Sequence, residues 1–172
     1  MERRIAWLAG LLMVLLVLAE APAMAAFLAA DMRVTRKGAA TVGEDVFDGG
    51  GLTNPQVSSS KIKRIRTYMV CVESQPGSGY PSPADFFVQA KGDQKGYKAI
   101  WRDPGGVVIP DSEMVAGTDG PYSLLSGEQA CLALKIIRTA TAKRRATWVT
   151  IGAMSGQALS DGDHLSIVVR RR

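Results

Sequence analysis

From residue 62 onward the chain alternates between short apolar runs and clusters of turn-forming residues. The runs are Ile65 to Val72, Phe86 to Ala90, Tyr97 to Trp101, Val107 to Ile109, Leu132 to Ile137, Thr147 to Ala153 and Leu165 to Val169. Several are rich in β-branched or aromatic residues, which suit a pleated, half-buried surface. Between them lie Pro76-Gly77-Ser78-Gly79, Gly92 to Gly96, Asp103-Pro104-Gly105-Gly106, Thr118-Asp119-Gly120-Pro121 and Ser160-Asp161-Gly162-Asp163. Seven short strands so punctuated predict a single, mainly β domain, an antiparallel β-sandwich or a barrel-like fold. The clearest local element is a C-terminal hairpin, in which Leu165, Ile167 and Val169 share one face and enter the core.

Two stretches also carry helical signals, so the domain is expected to hold one or two short helices at most. Ser82-Pro83-Ala84-Asp85 resembles an N-cap followed by proline at the first helical position, with Gly92 as a stop after residues 83–91. Ser126 to Gln129 has capping-box spacing, and Ala130, Ala133, Leu134 and Ile137 would then share a helical face within residues 127–138. Leu132 to Ile137 fits either period.

Upstream the organisation changes. Arg3 and Arg4 precede the apolar run Ile5 to Ala19, and Glu20, Pro22 and Ala23-Met24-Ala25 follow. This order of charged, apolar and small-residue segments reads as a signal peptide over residues 1–25, cut after Ala25 and leaving no stable membrane span. The competing reading, a retained anchor, is opposed by Glu20 and Pro22 within a stretch too short to span comfortably. Residues 26–60, with Gly49-Gly50-Gly51, Asn54-Pro55 and Ser58-Ser59-Ser60, read as a flexible lead-in with a candidate edge strand near Met32 to Thr35. Residues 61–172 form the β-rich domain.

Export changes the meaning of the cysteines. Cys71 and Cys131 are the only two, and in an oxidising compartment they are expected to form a disulfide. Strand parity refines this. Tyr68, Val70 and Val72 form one face beside Cys71, and Leu132, Leu134 and Ile136 form one beside Cys131, so each cysteine sits off the more apolar face. The bridge should join neighbouring strands of one sheet rather than cross the core.

The chain of 172 residues carries 21 Lys and Arg against 16 Asp and Glu, a net charge of +5. The leader holds two charges of each sign, so the excess belongs to the folded part. It is grouped: Lys61, Lys63, Arg64 and Arg66; Lys143, Arg144 and Arg145; Arg170, Arg171 and Arg172. Brought together by strands, these groups would make an anion-binding patch. Kept apart, they are solvated strand ends that discourage edge-to-edge pairing. No aromatic residues interleave with the charges, which argues against nucleic acid.

Catalytic chemistry finds little support. A nucleophile needs a base, and the chain has one histidine, His164, read as a surface residue opening a strand; there is no Gly-x-Ser-x-Gly elbow. Asp111, Glu113 and Asp119 in one loop, and Asp161 with Asp163 in another, are the oxygen-ligand candidates for calcium, without an EF-hand pattern. No metal or other cofactor is called for, and no catalytic residue is assigned. The expectation is a secreted or periplasmic, non-enzymatic binding or structural module, meeting an anionic envelope component or another envelope protein. Self-association through an exchanged strand from residues 26–40 is one form of it. The alternatives are a polysaccharide hydrolase using Asp111, Glu113 or Asp119, and a periplasmic inhibitor or ligand-binding protein.

Overall fold

A computed structural model describes residues 30–43, 56–75, 82–154 and 162–172. The signal-peptide segment, the Gly49 to Pro55 stretch, the Gly77-Ser78-Gly79 turn and Asp161 lie outside the described residues. Among the described residues ten strands and one helix follow in order: β1 (Ala30–Arg36), β2 (Gln56–Ile62), β3 (Ile65–Ser74), β4 (Ala84–Asp93), β5 (Tyr97–Arg102), β6 (Val108–Ile109), α1 (Asp111–Ala116), β7 (Asp119–Leu124), β8 (Gln129–Arg138), β9 (Arg145–Met154) and β10 (Asp163–Arg171). They build two five-stranded sheets, β1-β3-β8-β5-β6 and β2-β10-β9-β4-β7. The two stack as a β-sandwich, and neither closes into a barrel. Every pairing is antiparallel except β10 with β2, which run parallel. An all-antiparallel sandwich is therefore corrected at that one edge.

All seven expected strands are present. Both ambiguous stretches are strands, because each lies between two partners and buries every second residue. In β8, between β3 and β5, Ala130, Leu132, Leu134 and Ile136 are buried. In β4, between β9 and β7, the buried apolar set is Ala84, Phe86, Val88 and Ala90, and Gln89 on the other face is buried where it donates to Val115 O at 2.7 Å. The Ser126–Gln129 capping box does not form: Gln129 opens β8 and accepts a hydrogen bond from Arg33, and the residues before it make a turn in which the Glu128 N–H donates to Leu125 O at 2.9 Å and the Glu128 carboxylate accepts the Leu125 N–H at 2.9 Å. Ser82 likewise caps nothing helical; its Oγ accepts the Ser126 N–H at 3.1 Å.

Three elements were not foreseen. β2 is polar over Ser58-Ser59-Ser60-Lys61, and β7 lies on the turn signal around Gly120-Pro121. Each is an edge strand with one neighbour, and edges need little apolar character. Helix α1 occupies the acidic loop. It ends at Gly117, whose φ of 71° is the left-handed cap that glycine adopts without a β-carbon penalty. Met114 is its buried anchor. Part of the stretch read as a lead-in, β1 and β2, thus belongs to the sheets, and Met32 and Val34 are buried in the core.

The core is one layer between the sheets. Tyr68, Val70, Val72, Leu132, Leu134 and Ile136 from the first sheet meet Phe86, Trp148, Leu165, Ile167 and Val169 from the second. Gly152 lets the sheets approach: a β-carbon there would run into Met32 Sδ. Asp163, fully buried, ties the sheets at the β1 edge. Its carboxylate accepts the Met32 N–H at 2.6 Å and the His164 N–H at 2.9 Å.

Cys71 and Cys131 are directly opposed in the β3–β8 register and joined by a disulfide. The bridge links neighbouring strands of one sheet on its outer face, as strand parity predicts. Above it Arg33 pairs with Glu73 at 2.9 Å and hydrogen-bonds Gln129.

Replacing both cysteines by serine is expected to lower unfolding free energy by about 4 kcal/mol, the loop-closure value for a separation of 60 residues; denaturant titration with and without reductant checks it. Asp163→Ala strands a buried N–H on β1 and is expected to cost about 2–3 kcal/mol in the same titration.

Candidate functional site

The basic groups separate into those the fold assembles and those it scatters. β2 and β3 lie in different sheets and are joined by residues 63 and 64 alone, so the chain turns a corner at one end of the sandwich. The ends of β1 and β10 arrive at the same corner. There Arg36, Lys61, Lys63, Arg66 and Arg172, with Ile65, line an open concavity of about 540 Å³. Among the described residues no Asp or Glu side chain lines it.

Each side chain is placed by its strand. Arg36 continues the inner face of Met32 and Val34, and Arg66 that of Tyr68 and Val70, so both leave the core at the mouth between the sheets. Lys61 alternates with the inward residues Ser60 and Ile62. Ser60 hydrogen-bonds Tyr68 Oη across from β3, fixing the corner. Arg172 is held by its backbone, whose N–H donates to Ile62 O at 3.2 Å. Arg66 donates from one guanidinium nitrogen to Lys61 O at 3.0 Å, while its buried Nε has no hydrogen-bond partner among the described residues. That is an unspent donor beside the concavity. Burial raises the Tyr68 phenol above its ordinary pKa, and Ser60, Arg66 and Arg36 pull it back.

A second convergence adjoins the first. Arg170 is opposite Lys61 on β2 and Arg145 on β9, so three cations stand in a row across the outer face of the second sheet. Like charges directly opposed are unfavourable, and an anion laid across them relieves that cost. None of the eight residues Arg36, Lys61, Lys63, Arg66, Arg145, Arg170, Arg171 and Arg172 forms an ion pair among the described residues.

The remaining predicted positions do not line the concavity. Arg64 sits in the β2–β3 corner, where its carbonyl accepts the Arg138 N–H at 2.7 Å. Lys143 offers its carbonyl to Tyr97 Oη at 2.9 Å. Arg144 accepts the Arg171 N–H at 2.9 Å, putting both beside the Arg170 row. Arg36 was missed, because an isolated Arg36-Lys37 pair outside the three clusters gives no signal until β1 is known to end beside β3.

The acidic candidates are distributed differently. Asp111 and Glu113 are exposed on α1, whereas Asp119 is buried at the start of β7. Asp111 also borders a small cavity of about 40 Å³ beside Trp101, Met114 and Trp148, room for about one water. Among the described residues no three His, Cys, Asp or Glu side chains gather as a metal-binding set. Asp163 spends its carboxylate on backbone N–H groups. His164 is buried rather than at the surface, a correction that follows from its place in a strand between two neighbours. Among the described residues neither imidazole nitrogen has a hydrogen-bond partner.

Asp119 accepts a hydrogen bond from Tyr122 Oη at 2.7 Å. Burial raises its pKa above the ordinary carboxylate value; Tyr122 opposes this, and the Asp103 and Glu113 charges add to it. Burial, the bond to Asp119 and the nearby negative charge also push the Tyr122 phenol upward.

No protein-family model matches the chain, and no curated protein sequence matches it. Solved structures resemble it in fold. The N-terminal domain of PorA aligns with a TM-score of 0.52 and 9% identity, over 83% of this chain and 97% of that one. A family 123 glycoside hydrolase from Clostridium perfringens aligns at 0.48 and 7% identity, over 83% of this chain but 27% of the enzyme. A conjugative transposon lipoprotein from Bacteroides eggerthii aligns at 0.40 and 10% identity, over 82% and 96%. At these identities no residue role carries across.

A carboxyl whose folded pKa is raised holds its proton more tightly when folded, so Asp119 costs stability once pH exceeds the unfolded value. Asp119→Asn, which keeps an acceptor for Tyr122, is therefore expected to raise Tm near neutral pH. The gain should shrink as pH falls into the ordinary carboxylate range, as thermal melts across pH would read.

Proposed function

We propose that this chain is an exported, non-enzymatic module of the cell envelope that binds an anionic envelope component through the basic end of its sandwich. One observation carries the reading: Arg36, Lys61, Lys63, Arg66 and Arg172 converge on one concavity that, among the described residues, no Asp or Glu side chain lines. Holding like charges together costs free energy unless an anion offsets it, and a concave arrangement concentrates their field on a ligand. Four of these five cations sit in clusters already apparent in the primary structure.

Export is supported by two independent features. The first 25 residues have the three-part pattern of a secretory leader, and the disulfide between Cys71 and Cys131 belongs in an oxidising compartment. Among the described residues no helix is long and apolar enough to cross a membrane. The binding reading is preferred to hydrolysis because Asp111 and Glu113 are exposed on α1, while Asp119 is buried and bonded to Tyr122. No acid–base pair faces a substrate-sized cleft among them.

Two measurements test the reading. Fractionation of the producing cell with mass spectrometry of the N-terminus should find a chain beginning at Ala26 in the envelope or medium; intact Met1 on a cytosolic species with both thiols alkylatable would sink the export half. Titration with dextran sulfate should show binding that weakens steeply with salt. Lys63→Gln with Arg172→Gln, both at exposed positions, should weaken it about tenfold or more, taking roughly 1 kcal/mol per charge. Binding indifferent to salt and to both substitutions would remove the anion site.

A further inference from the structure

We infer that the outer face of the first sheet is a docking surface for an anionic lipid bilayer; this rests on the reading above, and it names the phosphate-bearing headgroup surface as the partner. Strand parity sends Ile65 and Met69 of β3, Ile137 and Lys135 of β8, and Lys98 and Arg102 of β5 to the same side. Ile65 stands opposite Ile137, and Ile137 opposite Lys98. Met69 stands opposite Ala133, and Ala133 opposite Arg102. Apolar and cationic side chains thus interleave over three neighbouring strands. Ile65 is 48% exposed and Met69 45%, whereas the inner residues of the same strands are buried.

The face is continuous with the basic concavity, because Ile65 belongs to both. Its carboxylates, Asp31 and Glu73, lie at the opposite end, with Glu73 held by Arg33 at 2.9 Å. The chemistry selects among occupants. A second copy of this chain would oppose cation to cation, which is disfavoured. A hydrated acidic polysaccharide would neutralise the lysines yet leave Ile65 and Met69 facing water. A bilayer interface satisfies both kinds of group: phosphates meet Lys98, Lys135 and Arg102, while short apolar side chains enter the headgroup–acyl boundary. Lys and Arg reach the phosphates along their aliphatic stems.

The test uses the chain purified after export and two vesicle preparations, pure phosphatidylcholine and an equal mixture of phosphatidylcholine with phosphatidylglycerol. Co-sedimentation is expected with the anionic vesicles and not with the neutral ones. Lys98→Gln with Lys135→Gln should lower partition about fivefold for each charge removed. Met69→Ser, on this face and outside the concavity, should lower it about fivefold while leaving dextran sulfate binding unchanged. Val115→Ser, at an exposed apolar position on α1 rather than on this sheet, should change neither. Equal binding to both vesicle types, no binding to either, or anionic binding insensitive to Met69→Ser would overturn the inference. If dextran sulfate still binds in that event, the basic concavity stands and only the lipid surface falls; if it does not, both fall together.

Discussion

Strand parity governs this molecule. Each strand can give only every second side chain to the layer between the sheets, so the run Leu132, Leu134, Ile136 necessarily sends Cys131, Ala133, Lys135 and Ile137 outward. The apolar contact of that inner row with Leu165, Ile167 and Val169 holds the two sheets together. Residues outside the row are released from packing, and there the disulfide, the cations and the exposed Ile65 and Met69 are found. The core and the chemistry are two faces of one pattern.

The same constraint explains how the basic end arises. A strand that ends at the mouth of a sandwich still projects its inner-face residue inward, but no opposing sheet remains for it to bury against. Arg36 and Arg66 occupy such positions, following Val34 and preceding Tyr68, where a long side chain can cover the end of the core with its stem and leave its charge in water. Burial of the Tyr68 ring immediately behind them raises its phenol. The corner between β2 and β3, fixed by the Ser60–Tyr68 hydrogen bond, then brings Lys61 and Lys63 to the same place.

Much of the fold could be read from the amino-acid order because alternation is local. The β3, β5, β9 and β10 segments announce themselves, and the parity of Cys71 and Cys131 suffices to place their bridge on a sheet exterior. What escaped reading depends on neighbours. β2 is serine-rich and becomes a strand because β10 offers it a parallel edge, and β7 survives a Gly120-Pro121 pair because β4 pairs with it. The helical signals at Ser82 and Ser126 were overruled by flanking strands. Of the candidate site, the lysines and arginines near residue 61 were legible as a cluster. Arg36, Lys98, Lys135 and Arg102 were not, since they are singletons until the register aligns them. His164 was misplaced because its polar, turn-adjacent setting gives no sign that a strand between two partners will bury it.

The Met32–Asp163 hydrogen bond spans 131 positions of chain. Its acceptor is made last, so during synthesis β1 must wait through nearly the whole intervening stretch with that edge unsatisfied. β2 waits in the same way for β10. A topology of such distant closures gathers slowly, and it leaves the nascent chain extended and threadable for longer than a meander of adjacent hairpins would. If the chain is exported, as proposed above, late closure is an advantage rather than a defect, because a translocation pore admits only an unfolded polypeptide.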